Sequence, residues 1–110
     1  MTPRRVLVMA TLAALAIIPN AACQRHPPRT HTVDIAEMRF TPSMLIVRPG
    51  DTVEWVNRDL VPHTVTSREA GLDSGPIAPD TSWRWTAVGP ATMTYVCTLH
   101  PTMSARLDVK

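Results

Sequence analysis

From Thr32 to the end of the chain, apolar and polar residues alternate in short runs separated by turn residues. Val33 and Ile35 alternate with polar neighbours in TVDIAEM, and SMLIV follows, closed by RPGD. Val53 and Trp55 share a face in TVEWVN. HTVTS comes next, then the loop-rich stretch REAGLDSGPIAPDTS, then WRWTA. Met93, Tyr95 and Cys97 share a face in TMTYVC, and Ala105, Leu107 and Val109 stand opposite Arg106, Asp108 and Lys110 in ARLDVK. A period of two places alternate side chains on opposite faces of a strand. Pro49–Gly50 and Gly89–Pro90 mark turns, because proline presets φ and glycine accepts positive φ. No sustained 3.6-residue period appears after residue 32, and residues 68–80 are the one stretch compatible with a helical turn. Many short strands at this spacing predict an all-β chain folded as an antiparallel sandwich or barrel. No internal repeat is present.

The first 22 residues follow a different plan. Arg4 and Arg5 precede the apolar run Val6–Ile18, and Asn20-Ala21-Ala22-Cys23 closes it with small residues. This is the layout of a secretory signal peptide, too short to be a comfortable membrane span. Ala21, Ala22 and Cys23 also fit a lipobox, in which the cysteine becomes the lipidated N-terminus; Asn20 departs from the Leu-like residue usual at that position. The other reading discards the cysteine with the signal. Pro27 and Pro28 make residues 23–31 an extended tether, so the expected division is signal 1–22, tether 23–31 and domain 32–110.

Charge and thiol content narrow the function. Loss of residues 1–22 removes Arg4 and Arg5 and leaves nine basic against nine acidic side chains, with no basic block. That argues against a nucleic-acid partner. Cys97 is then the sole thiol in the body of an exported protein, so it is buried and inert, paired between molecules, or bound to something.

The stretch YVCTLHPTM favours the third option. Cys97, His100 and Met103 fall at three-residue intervals and offer a soft thiolate, an imidazole and a soft thioether. That mixture selects copper over hard cations, whereas structural zinc prefers four strong ligands. Two histidines, one cysteine and a weak axial methionine make a blue-copper electron-transfer site. The missing histidine is assigned to His63 in NRDLVPHTVT, which lies 34 residues before Cys97, within reach of a neighbouring strand. His26 and His31 flank the tether and are weaker candidates. Trp55, Trp83 and Trp85 read as packing residues. Any one of the four donors alone reads as ordinary core; their joint spacing on an exported β chain favours one bound copper ion cycling between Cu(I) and Cu(II).

WVNRDLVPHTVTS, DSGPIAPDTSW and YVCTLHPTM together resemble the cupredoxins, most closely the amicyanin and plastocyanin-like branch. The resemblance covers residues 32–110 and implies a Greek-key β-sandwich or barrel with copper ligands at His63, Cys97, His100 and Met103. It also implies supporting roles for Pro62, Thr64 and Pro101 around the ligands. Docking of redox partner proteins, of respiratory or dehydrogenase type, is implied at Leu60, Val61, Leu99 and Thr102. Two residues depart from the family pattern. Ala105 stands where a glycine is common after the methionine, and Thr64 stands where several relatives have asparagine. The function implied is that of a one-electron carrier outside the cytoplasm, periplasmic or at the cell surface, not an enzyme. The chain is expected to be a monomer, with membrane attachment through Cys23 if that residue is lipidated. The alternative is a module for copper storage, delivery or resistance with no redox partner. A copper enzyme is disfavoured: nitrite-reductase-like chemistry needs a second copper and further domains, and a binuclear centre needs a second loop cysteine where Pro101 stands.

Overall fold

The computed structural model describes residues 1–3, 6, 9–17 and 26–110; Cys23 lies outside them. Nine strands form in chain order: β1 (Thr30–Ala36), β2 (Arg39–Thr41), β3 (Met44–Val47), β4 (Thr52–Asn57), β5 (Thr66–Ser67), β6 (Leu72–Asp73), β7 (Ser82–Thr86), β8 (Ala91–Cys97) and β9 (His100–Val109). One sheet has the order β2-β1-β4-β7 and the other β3-β9-β8-β5-β6. Alternation decides what lies between them. Val33 and Ile35 of β1, Val53 and Trp55 of β4, Met93, Tyr95 and Cys97 of β8, and Ala105, Leu107 and Val109 of β9 are all buried in one core. Burying such apolar area is the dominant favourable term of folding. At the centre, Tyr95 meets Trp55 and Phe40 edge-on, with ring centroids at 5.6 and 4.9 Å. Burial pushes the Tyr95 phenol up to about 12.

Three features differ from the sequence expectation. Both sheets are mixed: β1 runs parallel to β4, and β3 parallel to β9. Alternation reports which face a residue occupies and carries no information on strand direction, which the crossings between sheets set. Residues 68–80 hold no helix; they turn, pair briefly as β6, and return to the main body where Ile77 bridges His63. The first strand begins at Thr30, so Thr30 and His31, assigned above to the tether, belong to the sandwich.

The start of β1 is held by Asp51, which is 5 % exposed. Its carboxylate accepts from the Arg29 amide at 2.9 Å, the Arg48 amide at 3.1 Å and His31 Nε2 at 2.9 Å. The Arg29 amide, the His31 ring and the Arg48 amide together hold its carboxyl down at about 2. A carboxylate depressed in the folded state adds stability above its unfolded value, and that stability is lost as pH falls towards the folded value. Wild-type stability in denaturant should therefore fall between about pH 4 and pH 2 with a component that Asp51→Asn lacks. Parallel acid slopes for the two proteins would remove Asp51 from this role.

Alternation along ARLDVK puts Asp108 with Arg106 on the polar face of β9. It does occupy that face, yet it is only 2 % exposed, because Arg106 folds over it and donates to both carboxylate oxygens at 3.0 and 3.1 Å. The Arg106 guanidinium holds this carboxyl below its ordinary range against the opposing effect of burial.

Candidate metal centre

Three strands, β4, β8 and β9, and the bridged segment at His63 meet at one pole of the sandwich. β4 ends at Asn57, and the chain crosses the pole from Arg58 to Pro62 before entering His63. β8 ends at Cys97, and the tight connection to His100 brings the chain back as β9. The antiparallel register slips between Val96 and Cys97, so that Cys97 faces His100 across the connection. His63 is fixed by a two-way bridge to Ile77: its amide donates to the Ile77 carbonyl at 3.2 Å and its carbonyl accepts from the Ile77 amide at 2.7 Å. Asn57, fully buried, ties the same two segments with its side-chain amide, which donates to the Val61 and Ile77 carbonyls at 2.8 and 2.9 Å.

These constraints bring three of the expected donors together. His63 Nδ1 lies 3.6 Å from Cys97 Sγ, and His100 Nδ1 lies 3.7 Å from the same sulfur. The donor atoms of His63, Cys97 and His100 all fall within 4.8 Å of one another. His63 and Cys97 are wholly buried, and His100 is half-buried. An ion bound at about 2.3 Å from sulfur and about 2.0 Å from nitrogen, with near-trigonal angles, separates S and N by about 3.7 Å. The observed spacings match that value for both histidines. Met103 is buried on β9, three residues beyond His100. His26 and His31 are elsewhere: His31 is bonded to Asp51 and His26 lies beside it.

Residues 29–110 match the family of copper binding proteins of plastocyanin/azurin type. The chain belongs to that family. It is 35 % identical over 83 residues to an amicyanin of Paracoccus denitrificans, a match that spans 71 % of this chain and 63 % of the relative's length. It is 28 % identical to amicyanin-alpha of Methylorubrum extorquens, covering 89 % of this chain and 87 % of that one. Among solved structures, a methionine-to-alanine variant of amicyanin with Cu(I) superposes at a TM-score of 0.67 and 33 % identity, over 72 % of this chain and 80 % of the other. Copper is the cofactor of this cupredoxin, and the soft donor set at the pole fits it.

Around the donors, hydrogen bonds hold the cysteine sulfur in place and select one histidine tautomer. The Thr64 amide donates to Cys97 Sγ at 3.3 Å, which stabilises negative charge on sulfur. The Thr64 hydroxyl accepts from the Thr98 amide at 2.8 Å and pairs with the Thr98 hydroxyl at 3.0 Å. Threonine therefore links the His63 segment to the ligand loop. Ala105 faces the core opposite Tyr95, and β9 continues through it as regular strand, so glycine is not required there. Pro62 and Pro101 are exposed beside the two histidines.

One residue that the sequence reading passed over is Asp59. Its Oδ2 sits 2.8 Å from His63 Nε2. The same carboxylate accepts from the amides of Glu37 and Met38 at 2.7 and 3.0 Å. Burial opposes its charge, but the bonds from Met38, His63 and Glu37 outweigh that effect and hold the carboxyl below its ordinary range. An ionised Asp59 keeps the proton of His63 on Nε2 and leaves Nδ1, 3.6 Å from the sulfur, unprotonated and able to bind metal. Asp59→Ala should weaken copper binding about 10- to 100-fold, the usual effect of losing such a partner. Competition with a chelator of known affinity measures it, and an unchanged affinity would show that Asp59 does not orient the ring.

Proposed function

We propose that this cupredoxin is a one-electron carrier acting outside the cytoplasm, with copper held by His63, Cys97, His100 and Met103. The observation that carries this reading is the convergence of two imidazole Nδ1 atoms on one buried cysteine sulfur within a hydrogen-bonded frame. Bound copper supplies a Cu(I)/Cu(II) couple. The chain supplies what makes that couple fast. Asn57, Asp59, Thr64 and Thr98 restrain the donors from both sides, so they move little when the charge on the metal changes. Complete burial of His63 and Cys97 excludes water and opposes ready metal exchange, which supports a carrier over a storage or delivery module.

The electron leaves through His100 in this reading. In this reading the docking surface around that half-buried ring is made by Leu60 (92 % exposed), Val61, Leu99 (51 % exposed) and Thr102, all of them exposed. None of these is charged, which suits the small and easily reversed contacts of electron-transfer encounters. Leu99→Glu and Leu60→Glu should each slow electron exchange with the partner about tenfold or more, since a buried unpaired charge penalises the complex by 1.4 kcal/mol or more. The copper spectrum should stay unchanged. Stopped-flow rates insensitive to both substitutions would exclude this route. A reversible voltammetric wave from the copper-loaded protein tests the carrier function itself.

The proposed location rests on the basic residues and apolar run at the start of the chain. Lipidation at Cys23 is part of the same proposal, with Gln24–Arg29 as the stand-off tether and a monomeric domain beyond it. The mass of the N-terminal peptide from the native protein checks it.

A further inference from the structure

We propose that the pole opposite the copper site is a docking face for an anionic lipid surface. β4 runs from this pole to the metal centre, so the two ends are separated by its six residues, or about 20 Å at strand rise. The far pole is built by three segments that meet there. The Arg48–Asp51 turn is tied to the Ala87 turn, because the Gly50 amide donates to the Ala87 carbonyl and the Ala87 amide donates to the Asp51 carbonyl, both at 2.8 Å. The Lys110 amide donates to the Val47 carbonyl at 2.9 Å and brings the end of β9 to the same place.

Between these segments lies an open cavity of about 330 Å³, lined by Arg29, Arg48, Lys110, His26 and Ile46 among others. Asp51 is the acidic side chain in this lining, and its oxygens are already engaged by two backbone amides and His31. Arg29 and Arg48 are exposed, and among the described residues neither guanidinium is in an ion pair. The bonds to Asp51 come from their amides, so the side chains are free to face outward. Apolar groups project from the same end: Val88 is 79 % exposed on the adjoining turn and Ile46 is 51 % exposed.

Cations beside projecting aliphatic side chains suit the headgroup region of a bilayer, where phosphates pair with arginine while apolar side chains enter the interface. Charge complementarity favours an anionic lipid surface over a protein partner here, because Arg29, Arg48 and Lys110 stand against the single acidic side chain of this lining, Asp51, and the apolar tips are too few for a protein interface. The direction of the chain agrees. His26, Pro27 and Arg29, which precede β1, line this cavity, so a tether entering the domain at His26 would enter on the face that touches the membrane. Docked in this way, the protein points His100 away from the lipid.

The test is binding of the full-length protein to vesicles of phosphatidylcholine alone and of equal parts phosphatidylcholine and phosphatidylglycerol. The apolar segment 6–18 is common to all variants, so differences between variants report the domain. Each arginine near an anionic leaflet is worth about a fivefold change in partitioning. The Arg29→Glu/Arg48→Glu double variant should therefore bind the anionic vesicles at least about tenfold more weakly, and the neutral vesicles equally. Val88→Asp should also weaken binding, and Arg39→Glu on the hairpin at the copper pole should not. Thermal unfolding identical to wild type confirms that the variants are folded; Arg29→Gln/Arg48→Gln serves if charge reversal destabilises them. Equal binding by wild type and double variant overturns the proposal. So does an equal effect of Arg39→Glu, which would report charge without location. Competition of inorganic phosphate for the vesicle site also overturns it, since the pole would then be a small-anion site.

Discussion

Cys97→Ser should abolish the visible absorption of the copper-loaded protein. The intense band expected of this site is a charge transfer from thiolate sulfur to Cu(II), so it needs a sulfur anion on the metal. Cys97 supplies the one thiol that is described, at 0 % exposure and 3.6 to 3.7 Å from both imidazole nitrogens. A serine hydroxyl is harder, stays protonated at neutral pH, and leaves two histidines and a methionine to hold the ion. Copper affinity should fall along with the colour. The fold should survive, because the serine oxygen is smaller than sulfur and can still accept from the Thr64 amide. A blue spectrum of undiminished intensity in the variant would end the assignment of Cys97 as a ligand.

Trp55→Ala should remove about 3–5 kcal/mol of stability, a large share of the roughly 5–15 kcal/mol typical of a domain. Trp55 is 0 % exposed and packs against both Tyr95 and Trp83, with centroids at 5.6 and 5.5 Å. Its removal leaves a cavity between the sheets that the surrounding strands cannot close. Trp55→Phe is the informative partner. Among the described residues the buried indole N–H has no acceptor at full hydrogen-bond geometry and only a weak interaction with the Tyr95 phenol, so phenylalanine removes a poorly satisfied donor along with some of the ring. The phenylalanine variant should lose less than half as much as the alanine variant. Denaturant unfolding of both proteins measures the difference. Equal losses would mean that the interaction of the N–H with the Tyr95 phenol is worth as much as the ring.

The donors were legible because copper's chemistry restricts residue type and the ligand loop is short. A thiol, an imidazole and a thioether at three-residue intervals can reach one ion without any knowledge of distant strands. His63 was harder, because it lies 34 residues before Cys97 and only a neighbouring strand, or the family resemblance, could bring it to the loop. Of the two weaker candidates, His31 does not flank a tether but sits inside β1 with its ring on Asp51. Asp59 carried no signal at all. An aspartate on an exposed-looking loop is common, and only the β1–β2 hairpin shows what it does. That hairpin turns through Glu37 and Met38, at φ of 52° and 60°. A two-residue hairpin turn with positive φ at both positions is usually marked by asparagine or glycine. Here neither is present, and the Asp59 carboxylate holds both amides instead. With no turn residue to mark it, β2 was invisible as a separate strand.

The sequence by itself determined the class of fold, the inward face of each long strand and the chemical identity of the donors. Each of these is a local property: side-chain alternation along a strand, or ligand type along one loop. The tertiary structure decided the parallel pairings of β1 with β4 and of β3 with β9. It decided the two carboxylate clamps at opposite poles, and it gathered Arg29, Arg48 and Lys110 from three distant segments onto one face. Those features depend on where strands cross between sheets, and a hydrogen bond or a charge cluster formed across such a crossing leaves no periodic trace in either segment that makes it.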